Sequence, residues 1–163
     1  MASITILRGS LLVAMTLAGL AGCAGRYVSP LAPPPYRAEI ASPYDRTWRA
    51  LVRALAVQNV PLRAVARDSG VIASDDIASP IGVYADCGRI GDQRLEGEAL
   101  VSYTLFATAN GSTTSVQVNS KARTQAHRKG DSGKLRPHPV FACASTGRFE
   151  LNLLDAVRDL VRD

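Results

Sequence analysis

The sequence predicts an α+β fold in which an antiparallel sheet of about four to five strands carries two helices on one face. Two segments with helical apolar spacing, one around residue 50 and one at the C-terminus, predict the helices. Alternating apolar and polar residues on both sides of Asn110-Gly111 predict a hairpin. Strands and helices do not alternate regularly, so a doubly wound sheet is disfavoured. The expected order is β-α-β-β-β-β-α.

The first predicted helix follows a short strand over residues 37–41. Ser42 is expected to cap this helix, with Pro43 at its first position and Asp45 in the place of a capping-box acid. Asn59 is expected to mark its end. Its apolar face is formed by Tyr44, Trp48, Leu51, Val52 and Leu55.

Short strands and a loop are predicted after this helix. The strands cover residues 62–66 and 71–74, and the segment between them, Arg67 to Gly70, has turn chemistry. Residues 75–81 are expected to form a loop.

The predicted hairpin has strands over residues 100–109 and 112–124. A two-residue Asn110-Gly111 turn would pair Ala109 with Ser112. The same register sets Tyr103 opposite Val118, Leu105 opposite Val116 and Val101 opposite Ser120. One face of the hairpin is then apolar, and the other is polar and exposed to solvent.

The C-terminal third is predicted to be a long loop over residues 125–142 followed by a helix from Arg148 to Arg162. The two helices are expected to pack on the apolar face of the sheet. The expected core is Val101, Tyr103, Leu105, Trp48, Leu51, Leu55, Phe149, Leu153 and Val157.

The composition indicates one globular domain. Of 163 residues, 47% are hydrophobic and 20% are charged, as in ordinary globular domains. The length excludes a multidomain enzyme. We therefore expect a single domain over residues 37–163.

The N-terminus has the pattern of a secretory signal peptide over residues 1–22. Arg8 is the only charged residue in that range, and an apolar run over residues 11–20 follows it. The run is shorter than the roughly 20 residues that a membrane-spanning helix needs. A buried N-terminal helix is the alternative, but the segment has neither caps nor a polar face.

The signal ends in Leu20-Ala21-Gly22-Cys23, which resembles the lipobox of bacterial lipoproteins. The resemblance implies that the Cys23 thiol receives a diacylglyceryl group, that the chain is cut before Cys23, and that the new amine is acylated, with palmitate among the acyl chains. Several acyl chains on one residue make a durable membrane anchor. Ala24, in a position where Asp would favour the inner membrane, resembles the outer-membrane class and implies a periplasmic location.

Residues 23–36 are predicted to be a tether after the lipidated cysteine. The prolines in this segment favour an extended chain that would span roughly 40 Å. A docking motif for a proline-binding partner is the alternative to a plain spacer.

Cys87 and Cys143 remain once Cys23 is assigned to lipid. Two leftover thiols outside the cytoplasm usually pair, so the sequence predicts a structural disulfide. A metal or redox site is the alternative, but neither cysteine has a second cysteine two or three residues away or a histidine beside it.

The order of elements is similar to that of the helix-grip domains of auxiliary lipoproteins in the outer-membrane β-barrel assembly machinery, and of related periplasmic lipoproteins. The similarity rests on Trp48-Arg49-Ala50-Leu51 and Asp68-Ser69-Gly70-Val71-Ile72. It implies a role in envelope assembly rather than a reaction.

No catalytic or cofactor motif is present in the sequence. A nucleophile elbow, a P-loop and a glycine-rich dinucleotide motif are all missing. His127 and His138 are eleven residues apart with only Asp131 nearby, which makes a poor metal site. We expect no enzymatic activity, no metal and no cofactor.

The segment from Lys121 to His138 carries a net charge of +5. Such a segment could bind anionic lipid or lipopolysaccharide phosphates, or an acidic partner protein. A solvated loop is the alternative, and nucleic acid suits the charge but not the compartment. The candidate residues are Arg128, Lys129, Lys134 and Arg136.

The sequence thus predicts a lipid-anchored periplasmic lipoprotein of the outer membrane with a structural or adaptor role, joined to the membrane and to an envelope protein complex. The alternative is a binding protein for a small envelope ligand, a lipid, a glycan or an anionic group, held between the sheet and the helices. A closed core filled by Trp48 and Tyr103 would favour the adaptor, and an open cavity with converging polar groups the ligand binder.

Overall fold

The computed structural model describes residues 26–129 and 135–162, and these residues are mostly β-structure. Two helices lie within the described ranges, α1 (Tyr44–Val57) and α2 (Arg148–Arg162). The strands are β1 (Tyr27–Val28), β2 (Tyr36–Ile40), β3 (Leu62–Ala66), β4 (Val71–Ser74), β5 (Ile77–Pro80), β6 (Ala85–Asp86), β7 (Arg89–Ile90), β8 (Gln93–Arg94), β9 (Glu98–Asn110), β10 (Thr113–Lys129) and β11 (Leu135–Ser145).

Two antiparallel sheets are built from these strands. The large one has eight strands in the order β3-β4-β9-β10-β11-β6, with β2 beside β10 and β5 beside β9, and the small one has the order β1-β7-β8. The predicted fold, a sheet of four to five strands in the order β-α-β-β-β-β-α, is therefore wrong. Strands β5 to β8 have four residues or fewer, too short to show a period of two, and β5 lies where a loop was predicted.

The long loop predicted over residues 125–142 is also wrong. Strand β10 continues to Lys129, and β11 begins at Leu135 and pairs with it. Pro137 and Pro139 made a strand improbable from the sequence. They are accommodated because β6 pairs with β11 only at its last two residues and because the β10–β11 register shifts between Gln125 and His127.

The β9–β10 hairpin has a different register from the predicted one. Asn110 pairs with Thr113, so Gly111 and Ser112 form the turn, and Leu105 lies opposite Val118 rather than Val116. Gly111 has a φ of +62°, the only positive φ in this turn, which fits a type II′ turn rather than the expected type I′.

The same shift sets Tyr103 opposite Ser120. The carboxylate of Glu39 on β2 accepts hydrogen bonds from Asn110 Nδ2 and Thr113 Oγ1, which favours this pairing. A shift of two residues keeps each side chain on its predicted face, because the strand repeat is two.

Helix α1 begins without the predicted Ser42 cap. Pro43 is the N-cap residue, and no side chain caps the helix. Thr47 Oγ1 donates to the Ser42 carbonyl instead, while Asp45 pairs with Arg67. The helix ends at Val57 with Gln58 as its C-cap, and Asn59, the expected end marker, follows with a left-handed φ of 53°.

The core lies between the large sheet and the two helices, as predicted. The inward-facing β9 residues Val101, Tyr103 and Leu105 are buried in one cluster with side chains of both helices. The rings of Tyr103 and Phe149 stack with centroids 3.8 Å apart. The helix residues of this cluster are Trp48, Ala50, Leu51, Ala54, Leu55, Phe149, Leu153, Leu154 and Val157.

Candidate functional site

The predicted bond between Cys87 and Cys143 is confirmed. Cys143 lies in β11, and Cys87 directly follows β6, which pairs with the end of β11. Cys87 is fully buried. The disulfide therefore fixes the segment between the two sheets to the edge of the large sheet.

Residues 27–28, which lie in the predicted tether, form a strand that pairs with β7. The Tyr27 hydroxyl lies within hydrogen-bond distance of the carbonyl oxygens of Cys87 (3.2 Å) and Ala142 (3.1 Å), and the two acceptors share its single proton. Its ring packs against Phe141 with centroids 4.4 Å apart. The chain that follows the predicted lipidation site is thus attached to both sides of the disulfide.

Gly88 allows this close approach. It has a φ of +80°, and a Cβ atom there would lie 2.2 Å from the Val28 carbonyl oxygen. Only glycine fits such a backbone contact in the left-handed region.

The small sheet has two distinct faces. Tyr27, Ile90 and Gln93 share one register row, and Val28, Arg89 and Arg94 share the next. Because successive residues of a strand point to opposite faces, these two rows lie on opposite faces of the small sheet. Tyr27 and Ile90 are half-buried, whereas Gln93 and all three residues of the other row, Val28, Arg89 and Arg94, are exposed, so the row of Val28 faces outward.

A second surface is the side of the large sheet that the helices leave uncovered. We call it the outer sheet face. Phe106 (41% exposed) and Leu100 (37% exposed) interrupt an otherwise polar row. The polar members of this face are Ser102, Thr104, Thr108, Ser115, Gln117 and Asn119.

A groove of about 560 Å³ opens where this face meets the start of β9. Leu100 and Val140 supply its apolar lining, and its polar lining comes from Glu96, Glu98, Arg123, Thr124 and Gln125. The Arg123 guanidinium donates to the Asp76 carboxylate at 2.6 Å. The cation in this groove is therefore already paired.

A buried polar cluster lies at the start of α2. Ser145 Oγ donates to Glu150 Oε1 (2.5 Å) and accepts the Gly147 N–H (3.0 Å). The second Glu150 oxygen and the Tyr103 hydroxyl have no hydrogen-bond partner among the described residues. Burial, followed by the nearby charge of Glu150, raises the pKa of Tyr103 above its usual range. The Ser145–Glu150 pair stabilises the first turn of α2.

The other predicted site residues lie partly or wholly outside the described residues. Cys23 and Lys134 are outside them. The backbones of Arg128 and Lys129 belong to β10 and that of Arg136 to β11, where Arg136 pairs with Arg128. The three basic residues thus lie on a two-stranded ribbon and not in the predicted loop.

Sequence reasoning missed Tyr27, Arg89 and Arg94. The strands that place them have two residues each, so no periodicity could indicate them. The aromatic Tyr27 just before the proline-rich stretch was the one available signal, because a plain spacer has no need of a large apolar ring.

The chain matches no protein-family model, and a search of curated proteins likewise finds no match. Within residues 26–129 and 135–162, no helix is long and apolar enough to cross a bilayer. In the same ranges, no three His, Cys, Asp or Glu side chains cluster as metal ligands would.

Proposed function

We propose that this protein is a lipid-anchored periplasmic lipoprotein of the outer membrane with a non-catalytic, structural or adaptor role in envelope assembly. The lipobox ending at Cys23 supports the anchor. The Cys87–Cys143 disulfide supports an oxidising compartment, because disulfides persist outside the cytoplasm.

The outer sheet face is the observation that carries the adaptor role. Phe106 and Leu100 are exposed there among hydroxyl and amide side chains. Aromatic anchors surrounded by polar residues are typical of protein interfaces. The space between sheet and helices, by contrast, is filled by Trp48 and Tyr103, both buried. We propose that an envelope protein binds the outer sheet face.

The ligand-binding alternative has one observation in its favour, the 560 Å³ groove beside Leu100 and Val140. It ranks second because Asp76 already neutralises Arg123, the cation that an anionic ligand would use. A lipid or glycan would have to bind mainly through the apolar lining.

The test is a crosslinking pull-down from intact cells with Cys23 left native. A photoreactive phenylalanine analogue replaces Phe106, and the matched control carries it at Leu151, an exposed apolar residue of α2. We expect one envelope protein to be captured in stoichiometric amount from position 106 only. Phe106→Ser should abolish its co-purification, whereas Leu151→Ser should not.

Two outcomes would contradict the adaptor role. Equal capture from positions 106 and 151 would mean that the outer sheet face binds nothing specific. Co-purifying lipid or glycan without a protein would favour the ligand-binding alternative.

A further inference from the structure

We infer that the outward face of the small sheet is a contact surface for the phosphate groups of anionic lipids in the membrane that holds the anchor. The inference rests on the proposed lipid anchor at Cys23. We call this surface the anchor-side patch: Val28, Leu31, Arg89 and Arg94.

The lipidated residue can lie only a short distance from the small sheet. Cys23 is four residues before Tyr27, and the Tyr27 hydroxyl is hydrogen-bonded to the carbonyl oxygens of Cys87 and Ala142. A fully extended chain advances at most about 3.6 Å per residue, so the lipidated residue lies within about 14 Å of Tyr27. The lipid headgroups of one leaflet occupy about 5–8 Å outside the hydrocarbon core. The small sheet is therefore held beside the headgroups rather than roughly 40 Å away.

Two arginines supply the positive charge of the anchor-side patch. Arg89 and Arg94 are direct cross-strand neighbours in β7 and β8, and both are exposed. Like charges in opposed positions destabilise a pair of strands. Neither arginine forms a salt bridge within the described residues. A phosphate between them would remove this repulsion, and the planar guanidinium suits phosphate oxygens.

Two exposed apolar side chains form the rest of the anchor-side patch. Val28 is 45% exposed and shares its register row with Arg89 and Arg94. Leu31, three residues further on, is 96% exposed. Apolar side chains beside basic ones are the combination that binds anionic membrane surfaces, because apolar burial and charge attraction add.

Val28, Arg89 and Arg94 of the anchor-side patch line a shallow concavity of about 280 Å³. Two carboxylates, Asp86 and Asp92, also line it. Asp86 Oδ1 accepts the Gly88 N–H at 2.9 Å, so it is partly satisfied within the turn. The negative charge of Asp92 repels an anionic ligand. Neutralising Asp92 should therefore strengthen the lipid contact, whereas neutralising the arginines should weaken it.

The experiment measures hydrogen exchange of the mature lipoprotein in nanodiscs. One preparation contains phosphatidylcholine with one fifth phosphatidylglycerol, and the other contains phosphatidylcholine alone. We expect the amides of Val28, Ser29, Leu31 and residues 89–95 to exchange more slowly in the anionic discs. The difference should disappear in high salt, since salt screens exposed charges.

Charge variants identify the groups responsible. Arg89→Gln with Arg94→Gln should abolish the protection, and Asp92→Asn should increase it. The matched control, Arg53→Gln with Arg63→Gln, removes the same charge from exposed residues of α1 and β3 and should change nothing.

Different results would contradict the proposed anchor and the proposed lipid contact of the patch. If the wild-type protein does not co-elute with nanodiscs, or if Cys23→Ser co-elutes as well as wild type, the proposed anchor is wrong. If the protein co-elutes but the patch exchanges equally in both lipids, the anchor stands and the inference is wrong. Protection that appears in detergent and grows with protein concentration would assign the patch to a second copy of the chain.

Discussion

Removal of the disulfide should lower the stability of the domain by an amount that depends on the length of the loop that the bond closes. The cysteines are 56 residues apart, so the bond closes a loop of 57 residues counted inclusively. The chain-entropy relation gives about 4 kcal/mol for a loop of this length. For a domain of somewhat more than 100 residues, 1 kcal/mol shifts Tm by roughly 3–5 °C. Cys87→Ser with Cys143→Ser should therefore lower Tm by roughly 10–20 °C.

The assay is thermal unfolding followed by circular dichroism, with and without reductant. Reduced wild type should melt close to the double variant, and reductant should leave the double variant unchanged. A Tm within about 3 °C of oxidised wild type would refute the reasoning. It would mean that the thiols are free or that the bond does not restrict the unfolded chain.

Three further changes test other parts of the account. Gly88→Ala should destabilise the protein in urea by roughly 1–3 kcal/mol more than Gly97→Ala, because both have a positive φ but only the Cβ at position 88 would overlap a backbone atom, the Val28 carbonyl oxygen. Equal losses would mean that β1 does not dock on Gly88. Because the pKa of Tyr103 is raised, the folded protein keeps a proton that the unfolded chain loses above about pH 10. The contribution of Tyr103 to the unfolding free energy should then be constant below that pH and fall by up to about 1.4 kcal/mol per pH unit above it. Tyr103→Phe should remove this part of the slope. Neutralising the four predicted basic residues together should weaken binding to anionic vesicles, and unchanged binding at low salt would rule out their role. They are Arg128, Lys129, Lys134 and Arg136.

The elements with strong local signals were predicted well. Helix α2 has the expected bounds because its apolar residues recur at helical spacing over four turns. Strands β3 and β4 were predicted from a turn that ends in Gly70, whose φ is +69°. The core of Tyr103 and Phe149 followed from combining two such patterns.

The remaining strands depend on contacts that no local pattern encodes. Strand β11 contains two prolines and forms because β10 offers it a partner. Strand β1 has two residues and is held by the Tyr27 hydroxyl and the Gly88 turn. The hairpin register was wrong because Glu39, 71 residues before Asn110, helps to select the turn.

The candidate site likewise has one part that the sequence predicts and one part that depends on the fold. The disulfide could be predicted from cysteine number and a lipobox, since neither depends on the fold. The anchor-side patch could not, because Arg89 and Arg94 become neighbours only when two strands of two residues each pair. In the sequence the two arginines are only two among many charged residues, and the small sheet places them on the same outward face.

The most direct test of the central claim is the intact mass of the protein purified from bacterial membranes, alkylated without reduction. We expect a chain that begins at Cys23, carries acyl groups on that residue, and has Cys87 and Cys143 joined and unalkylated. A chain that retains residues 1–22, or an unacylated Cys23, would contradict the anchor. Alkylated Cys87 and Cys143 would contradict the disulfide and the oxidising compartment that it supports.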